Sequence, residues 1–400
     1  MLGLASALLP GRAAGQGLPR QDITAIDLSL DVRHDSNVVR SSADRAAARG
    51  LVRSDQRATP SIDFILARPL GRNRVQLVAS AGYDFYRRNS RLNRERLSLV
   101  GDGTVIGGPL TIDLSAALAR RQSDPADLTP LLIPGIESIR NTQTTQDYGI
   151  RARLGSRPYG LKPVVSAGYA TGTNSAPLRR IADYRLFRYG GGLSYEGPAL
   201  GYVDLQYLRS DIDYPNRPAL LGQSGFRTER IQLSARRDLG AVLVAQGSLS
   251  WITLTPDQAR AGVRDFDGIG YSLALTAIPR PDLRVTASVS RDVTPSLGTD
   301  ALYQVGNSYA LTGVYQLSRD TYVSLAGSID DRRFEGAGRV FGVALTDSVQ
   351  RTVSAGVGFA QSRPLRVAVE AGYTEREANG TAFDFGSFFV GARTSYRLGR

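Results

Sequence analysis

Few residues in this chain are equipped for chemistry. The 400 residues include one histidine, His34, and no cysteine. Asp35 and Ser36 follow His34 directly, so the three residue types of a nucleophilic triad are present. Such a triad needs the imidazole placed between hydroxyl and carboxylate and bonded to both. Three consecutive residues do not supply that arrangement. No enzymatic activity and no catalytic residue are expected, and His34 reads as a solvated histidine at a loop edge. With no thiolate and a single imidazole, a zinc site lacks its usual ligands. Asp211, Asp213, Asp330 and Asp331 lack the order of a calcium-binding loop. Gly101-Asp102-Gly103 through Gly107-Gly108 superficially resembles a phosphate loop, but no helix or lysine follows, so it reads as a turn. No metal and no cofactor are expected.

What remains is arginine. The net charge is +12, and Lys162 is the only lysine. Nucleic-acid binding needs a concentrated basic patch or a recognition helix. Here the arginines are scattered, so no nucleic-acid partner is expected. Alternate residues of a strand share a face, and Arg94, Arg96, Arg151, Arg153, Arg230, Arg236, Arg366, Glu370 and Arg393 fall opposite the apolar positions of their segments. Asp113, Asp147 and Asp204 lie among them. These nine residues are the candidates for lining a water-filled interior. Two readings stay open together: arginine rings favour anions, or the arginines pair with the acids and brace the wall.

The elements that carry them are strands. In the last segments, Leu365, Val367, Val369, Ala371 and Tyr373 alternate with smaller or polar residues. After a loop, Phe388, Val390, Ala392, Thr394, Tyr396 and Leu398 do the same. Alternation sustained over ten residues exceeds the ~5–6 of an ordinary strand. It matches the ~9–11 residues that cross a bilayer as a tilted strand. Hydrophobic residues make up 42% of the chain, mean hydropathy is −0.18, and no apolar run suits a spanning helix. Without such helices, closed barrels are the remaining way to span lipid.

The alternation predicts about eighteen strands. The first covers Ile26–Val32, the second Ser61–Arg68 and the third Val75–Phe85; later ones run from 94–103 and 109–120 through to 364–375 and 385–398. Arg45–Arg53 is expected to form a short helix. Connections alternate between tight turns, such as Glu196-Gly197-Pro198, and longer loops, such as 122–144, 211–225 and 333–347. That is the pattern of an all-β, up-and-down antiparallel transmembrane barrel with both termini periplasmic. Phe85, Tyr148, Tyr169, Phe187, Tyr207, Trp251 and Tyr373 are expected near the long-loop ends, and Tyr195, Tyr315, Phe359 and Tyr396 near the short turns. Leu243, Leu273, Val285 and Val367 are expected to face lipid near mid-membrane, with Ser248, Thr286 and Ser288 facing water. Strand 1 should pair with the last strand. Loop 122–144, with its apolar run Leu131–Ile136, should enter or cover the barrel mouth.

Residues 1–15 read as a signal peptide truncated at its charged start. Residues 16–23 read as a periplasmic segment and 24–398 as one barrel in the outer membrane of a Gram-negative bacterium, with membrane lipid around it.

Leu28-Ser29-Leu30-Asp31-Val32-Arg33-His34-Asp35-Ser36-Asn37-Val38 resembles the opening strand of the porin-like outer-membrane barrels encoded with bacterial exopolysaccharide and capsule loci. The length and layout extend that likeness over nearly the whole chain. Phe389–Tyr396 also looks like the signal read by the barrel-assembly machinery, although the chain continues to Arg400 instead of stopping on an aromatic. The resemblance implies a pore that assists polysaccharide export. Two alternatives stay open: a general or anion-leaning diffusion porin for small solutes, and a structural barrel with a closed lumen.

Overall fold

The structure, a computed structural model, describes residues 22–123, 141–155, 157, 159–217, 225–240, 242–257, 265–296, 301–336, 345–361, 364–379 and 383–399. The segment 1–15 and most of loop 122–144 lie outside them. Eighteen strands form one antiparallel sheet. In chain order they are β1 (Ile23–Asp35), β2 (Asp55–Leu70), β3 (Asn73–Tyr86), β4 (Arg94–Gly107), β5 (Leu110–Gln122) and β6 (Thr142–Leu154). Next come β7 (Gly160–Asn174), β8 (Tyr184–Gly197), β9 (Gly201–Asp213), β10 (Gly225–Leu239), β11 (Leu243–Pro256) and β12 (Phe266–Arg280). The last six are β13 (Leu283–Pro295), β14 (Tyr303–Gln316), β15 (Tyr322–Glu335), β16 (Asp347–Phe359), β17 (Leu365–Ala378) and β18 (Phe385–Gly399).

Every strand pairs with its sequence neighbours, and β1 pairs with β18 as well as β2. The closing register sets Leu28 opposite Tyr396 and Val32 opposite Ala392. The barrel is therefore closed, as expected from strand 1 and the last strand. A free edge in lipid would leave backbone groups unsatisfied at several kcal/mol each. The start of β1 and the end of β18 lie on the short-turn side. The turns there are tight because glycines adopt left-handed backbone angles: Gly71 at φ 66° and Gly240 at φ 70°.

Residue-by-residue pairing carries one choice of face around the whole ring. Leu28, Ile62, Leu114, Ile150, Val165, Leu205, Leu249, Leu311, Leu325 and Val353 are all exposed outward. An apolar surface of that extent is the lipid-facing band of an outer-membrane barrel. Phe85, Tyr148, Tyr169, Phe187, Tyr207, Trp251 and Tyr373 are exposed on the same face, as are Tyr315, Phe359 and Tyr396 nearer the short turns.

Several expectations need correction. β4 runs through Gly101–Gly103, which therefore lie within a strand and not in a turn. Glycine outward on β4 leaves the ladder intact, so it did not end the strand. β2 starts at Asp55, well before Ser61, because its polar first turn of pairing stands above the lipid, where alternation is not required. The helix α1 spans Ala43–Ala48 instead of Arg45–Arg53. Gly50, at φ 64°, ends it. Leu243, Leu273, Val285 and Val367 all point outward, but only Leu273 lies mid-strand. Leu243 opens β11, and Val285 and Val367 lie within two residues of the starts of β13 and β17.

The mid-depth positions are Leu249 and Leu273, with Ser248 beside them on the inner face. Leu249→Arg or Leu273→Arg should cost about 2–4 kcal/mol in lipid. Ser248→Arg should cost about 1 kcal/mol, the value of its lost hydrogen bond to Ser272. Equilibrium urea unfolding in phospholipid vesicles reads the difference, and equal losses would show that the faces are exchanged.

Candidate functional site

The inner wall divides into two arcs. From β11 to β16 it presents mainly Ser, Thr, Gly, Ala and Gln. Their hydroxyls bond across strands: Ser248 to Ser272 at 2.8 Å, and Thr276 to Thr286 at 3.5 Å. Ser308 donates to Asp330 at 2.7 Å. The other arc, from β17 through β1 to β10, carries most of the charge.

All nine sequence-derived candidates lie on inward positions of their strands, and the structure gathers four of them, Arg96, Arg151, Arg153 and Arg393, with acids in two groups. The first spans β5 to β9. Arg153 reaches Asp113 at 2.9 Å and Glu196 at 2.8 Å, and Lys162 approaches the second oxygen of Glu196 at 2.5 Å. Arg151 pairs with Asp204 at 2.9 Å and also donates to the Tyr202 hydroxyl. The second group surrounds the seam between β18 and β1. Arg393 donates to Asp63 at 3.1 Å, Arg397 grips Asp27 at 2.6 Å, and Asp84 lies between Arg57 at 3.7 Å and Arg96 at 3.6 Å. Arg236 approaches Asp238 at only 3.9 Å. Arg94 stands at the start of β4, one alternate position from Arg96, and donates to the Asn93 carbonyl. Arg366 and Glu370 follow each other along the inner face of β17.

Sequence reasoning missed Arg57, Lys162, Arg188, Arg397, Asp27, Asp63, Asp84, Glu196 and Asp292. Each sits at an inward strand position, and all but Arg57 fall within the segments that the alternation marked. Their partners, on strands far apart in sequence, were the missing part. Arg188 shows why. It crosses from β8 to Asp147 on β6 over Gly168, where an added Cβ would lie 2.4 Å from the Arg188 Nε. Arg230 on β10 likewise reaches Asp292 on β13 across two intervening strands. At Gly168 the missing side chain leaves the space that the Arg188 guanidinium crosses.

At the long-loop end, segments from distant strands converge. Ile212, Phe226, Ile252 and Leu254 on the inner sides of β9 to β11 pack with Tyr214, Leu302 and Tyr303 into one buried cluster. Tyr214 donates its hydroxyl to the Leu302 carbonyl. Arg217 reaches the Ala301 carbonyl at 3.1 Å and the Ile181 carbonyl at 3.4 Å. Asn216 donates to Asp183 at 3.1 Å. A second cluster joins Ala301 to Phe334, Leu345 and Phe383. A third packs α1 through Ala46 against Leu51 and Leu92, with Tyr86 alongside. The base of loop 122–144 is pinned where Asn141 donates to Ser123 at 2.6 Å and to Asn174 at 2.7 Å. Ordered segments therefore pack together at this end in three places.

Two carboxyls in this layer lie outside the spanning strands. Burial raises Asp183 above the usual carboxylate range, against the lowering pull of Asn174, Asn216 and Arg180. Burial also raises Asp257, against Arg227. A raised folded-state value means the folded loops bind more protons than unfolded ones, so their stability grows as pH falls through that window. The mouth layer should accordingly tighten between neutral pH and the carboxylate range. Single-channel recordings should show more frequent closures there, and Asp183→Asn should make them less pH-dependent.

No family model matches the chain, and no curated protein does. Among solved structures it is similar to the outer membrane protein OpdK of Pseudomonas aeruginosa, at 12% identity and a TM-score of 0.47, covering 94% of this chain and 99% of that one. It is similar to P. aeruginosa OccK2 (OpdF), solved in complex with glucuronate, at 12% identity and a TM-score of 0.46, covering 95% and 98%. Acinetobacter baumannii OccAB3 gives 9% identity and a TM-score of 0.44, covering 94% and 99%. At such identity and superposition, the likeness says nothing about what passes through the lumen. The chain's own geometry carries the conclusion: this is a closed, eighteen-stranded antiparallel β-barrel whose outer face is an apolar, lipid-facing band.

Proposed function

We propose that the barrel is a diffusion pore for small solutes that favours anions, with both termini in the periplasm. One observation carries this reading. Two of the paired lumen arginines remain accessible: the Arg96 and Arg188 side chains keep 44% and 41% of their surface open. A paired guanidinium open to water exchanges its partner for a passing anion at little cost, because exposed ion pairs contribute only about 0–1 kcal/mol. The acids prevent any one arginine from holding an anion too tightly, and conduction requires such weak, multiple sites. Bracing and selection are then two uses of the same pairs. The start of β1 and the end of β18 on the short-turn side fit a periplasmic placement of the termini, with the long loops outside. In this reading β18 also serves the barrel-assembly machinery as its recognition strand.

Polysaccharide export, the function implied by the resemblance at Leu28–Val38, has that motif and the chain's length and layout for support. The converging mouth segments work against it, since a polymer needs a continuous wide path while a small solute needs only gaps. A closed structural barrel would require the lumen side chains to be sequestered, and Ser248 and Ser272 are exposed to the interior.

Reversal potentials in planar bilayers under a potassium chloride gradient test the proposal. The native barrel should pass chloride in preference to potassium. Arg96→Glu with Arg188→Glu should shift the permeability ratio several-fold toward potassium without loss of folding. Cation preference in the native barrel would overturn the reading. Tyr214→Phe with Arg217→Ala should raise conductance by loosening the mouth. Unchanged conductance in that variant would place the constriction elsewhere.

A further inference from the structure

One stretch of the lumen wall holds charges that the ion pairs do not absorb. A row crosses the seam from Glu370 on β17 to Gly391 on β18, then Arg33 on β1 and Arg57 on β2, each directly opposite the next. The three charged side chains point inward and are half-buried. Like charges set directly opposite on neighbouring strands repel. Arg57 is compensated by Asp31 at 3.3 Å and Asp84 at 3.7 Å. Among the described residues, Arg33 has no ion-pair partner, and Glu370 has neither an ion pair nor a hydrogen bond.

An aromatic stack holds Arg33 in place. Its Cζ lies 3.6 Å from the centroid of the Phe389 ring, and Phe389 is buried. That ring occupies the space over Gly372, where an added Cβ would stand 2.5 Å from Phe389 Cζ. Gly372 is the next inward residue of β17 after Glu370. The stack therefore carries the guanidinium from β1 across β18, towards the strand of Glu370. The two charges feel each other, yet they do not close into an ion pair. At Gly391 between them, the atoms nearest an added Cβ belong to Val32 and Arg33, not to Glu370. A guanidinium stacked by its face keeps its in-plane N–H donors free, and these form a fork that fits a carboxylate.

We propose that Arg33 and Glu370 form a bipolar subsite for a small zwitterion of the amino-acid class. The carboxylate of the ligand lies on the Arg33 fork, in the positive field shared with Arg57, and its ammonium lies on Glu370. One such molecule supplies both missing partners and adds no net charge to the wall. A simple anion would satisfy Arg33 but would be repelled by Glu370. The inference rests on the lumen being open to small solutes, and it names a solute that pauses there.

Saturation-transfer NMR of the purified full-length barrel in detergent, titrated with L-alanine, propionate and ethylammonium, tests it without requiring conduction. L-alanine should bind at least tenfold more tightly than either singly charged analogue. Glu370→Gln should abolish its advantage over propionate, and Arg33→Gln should weaken L-alanine at least tenfold. Heat-modifiable migration should stay native in both variants, which separates lost binding from lost folding. Should Arg33→Gln not fold, Arg33→Lys takes its place, keeping the charge but losing the fork, with a several-fold loss. Propionate binding as tightly as L-alanine, or an L-alanine preference that survives Glu370→Gln, would overturn the proposal. So would a native barrel that binds none of the three while still preferring chloride. A barrel that binds L-alanine but prefers potassium would keep the subsite and lose only the anion-favouring pore.

Discussion

Hydrocarbon offers no hydrogen-bond partner, and the rest of this molecule follows from that. Each backbone amide in the membrane must find a carbonyl on a neighbouring strand, so the sheet cannot stop until β18 meets β1. Closure then fixes everything else. Once Leu28 points to lipid, pairing dictates the facing of residues on all the other strands. The exposed leucines outside and the arginines inside are two outcomes of one ladder. Beyond the lipid this rule relaxes, and there the chain forms α1, the buried clusters at the mouth and the polar first turn of β2.

Inside the barrel a second constraint operates. Charges held against a wall need partners near enough to offset lost hydration. Guanidinium suits this place because it is planar and keeps its charge. Lying flat requires a floor without side chains, which Gly168 provides below Arg188. Here a glycine on β7 lets an arginine on β8 reach an acid on β6. The hydroxyl arc needs no such arrangement, since serines and threonines satisfy one another across adjacent strands.

Much of this was legible in the sequence, and the reason is geometric. A period of two is written directly into the residue order, so strands such as β17 and β18, and the inward facing of Arg151 or Arg393, follow from local pattern. Depth in the membrane is not local. Val367 alternates as well as Leu273 does, and only pairing shows that it sits beside a turn. The β4 glycines misled because glycine marks turns in soluble proteins, while on a lipid-facing strand it merely leaves a dent. Ion pairs between non-adjacent strands, such as Arg230 with Asp292, join residues that no alternation rule brings together. The mouth clusters join strand residues such as Ile252 to residues beyond the strands such as Leu302, which no periodicity brings together.

The way the mouth is built has a consequence for how the molecule comes into being. Its ties run from Arg217 to Ile181 and Ala301, and from Asn37 to the Gly386 carbonyl at the far end of the chain. Asn37 and Gly386, on either side of the seam, are not near each other until β18 meets β1. This tie at the mouth must therefore be a late event, assembled after the wall instead of templating it. A half-made barrel would present a wide, unguarded interior, and only the finished one would discriminate. Selectivity in such a molecule doubles as a mark of completion.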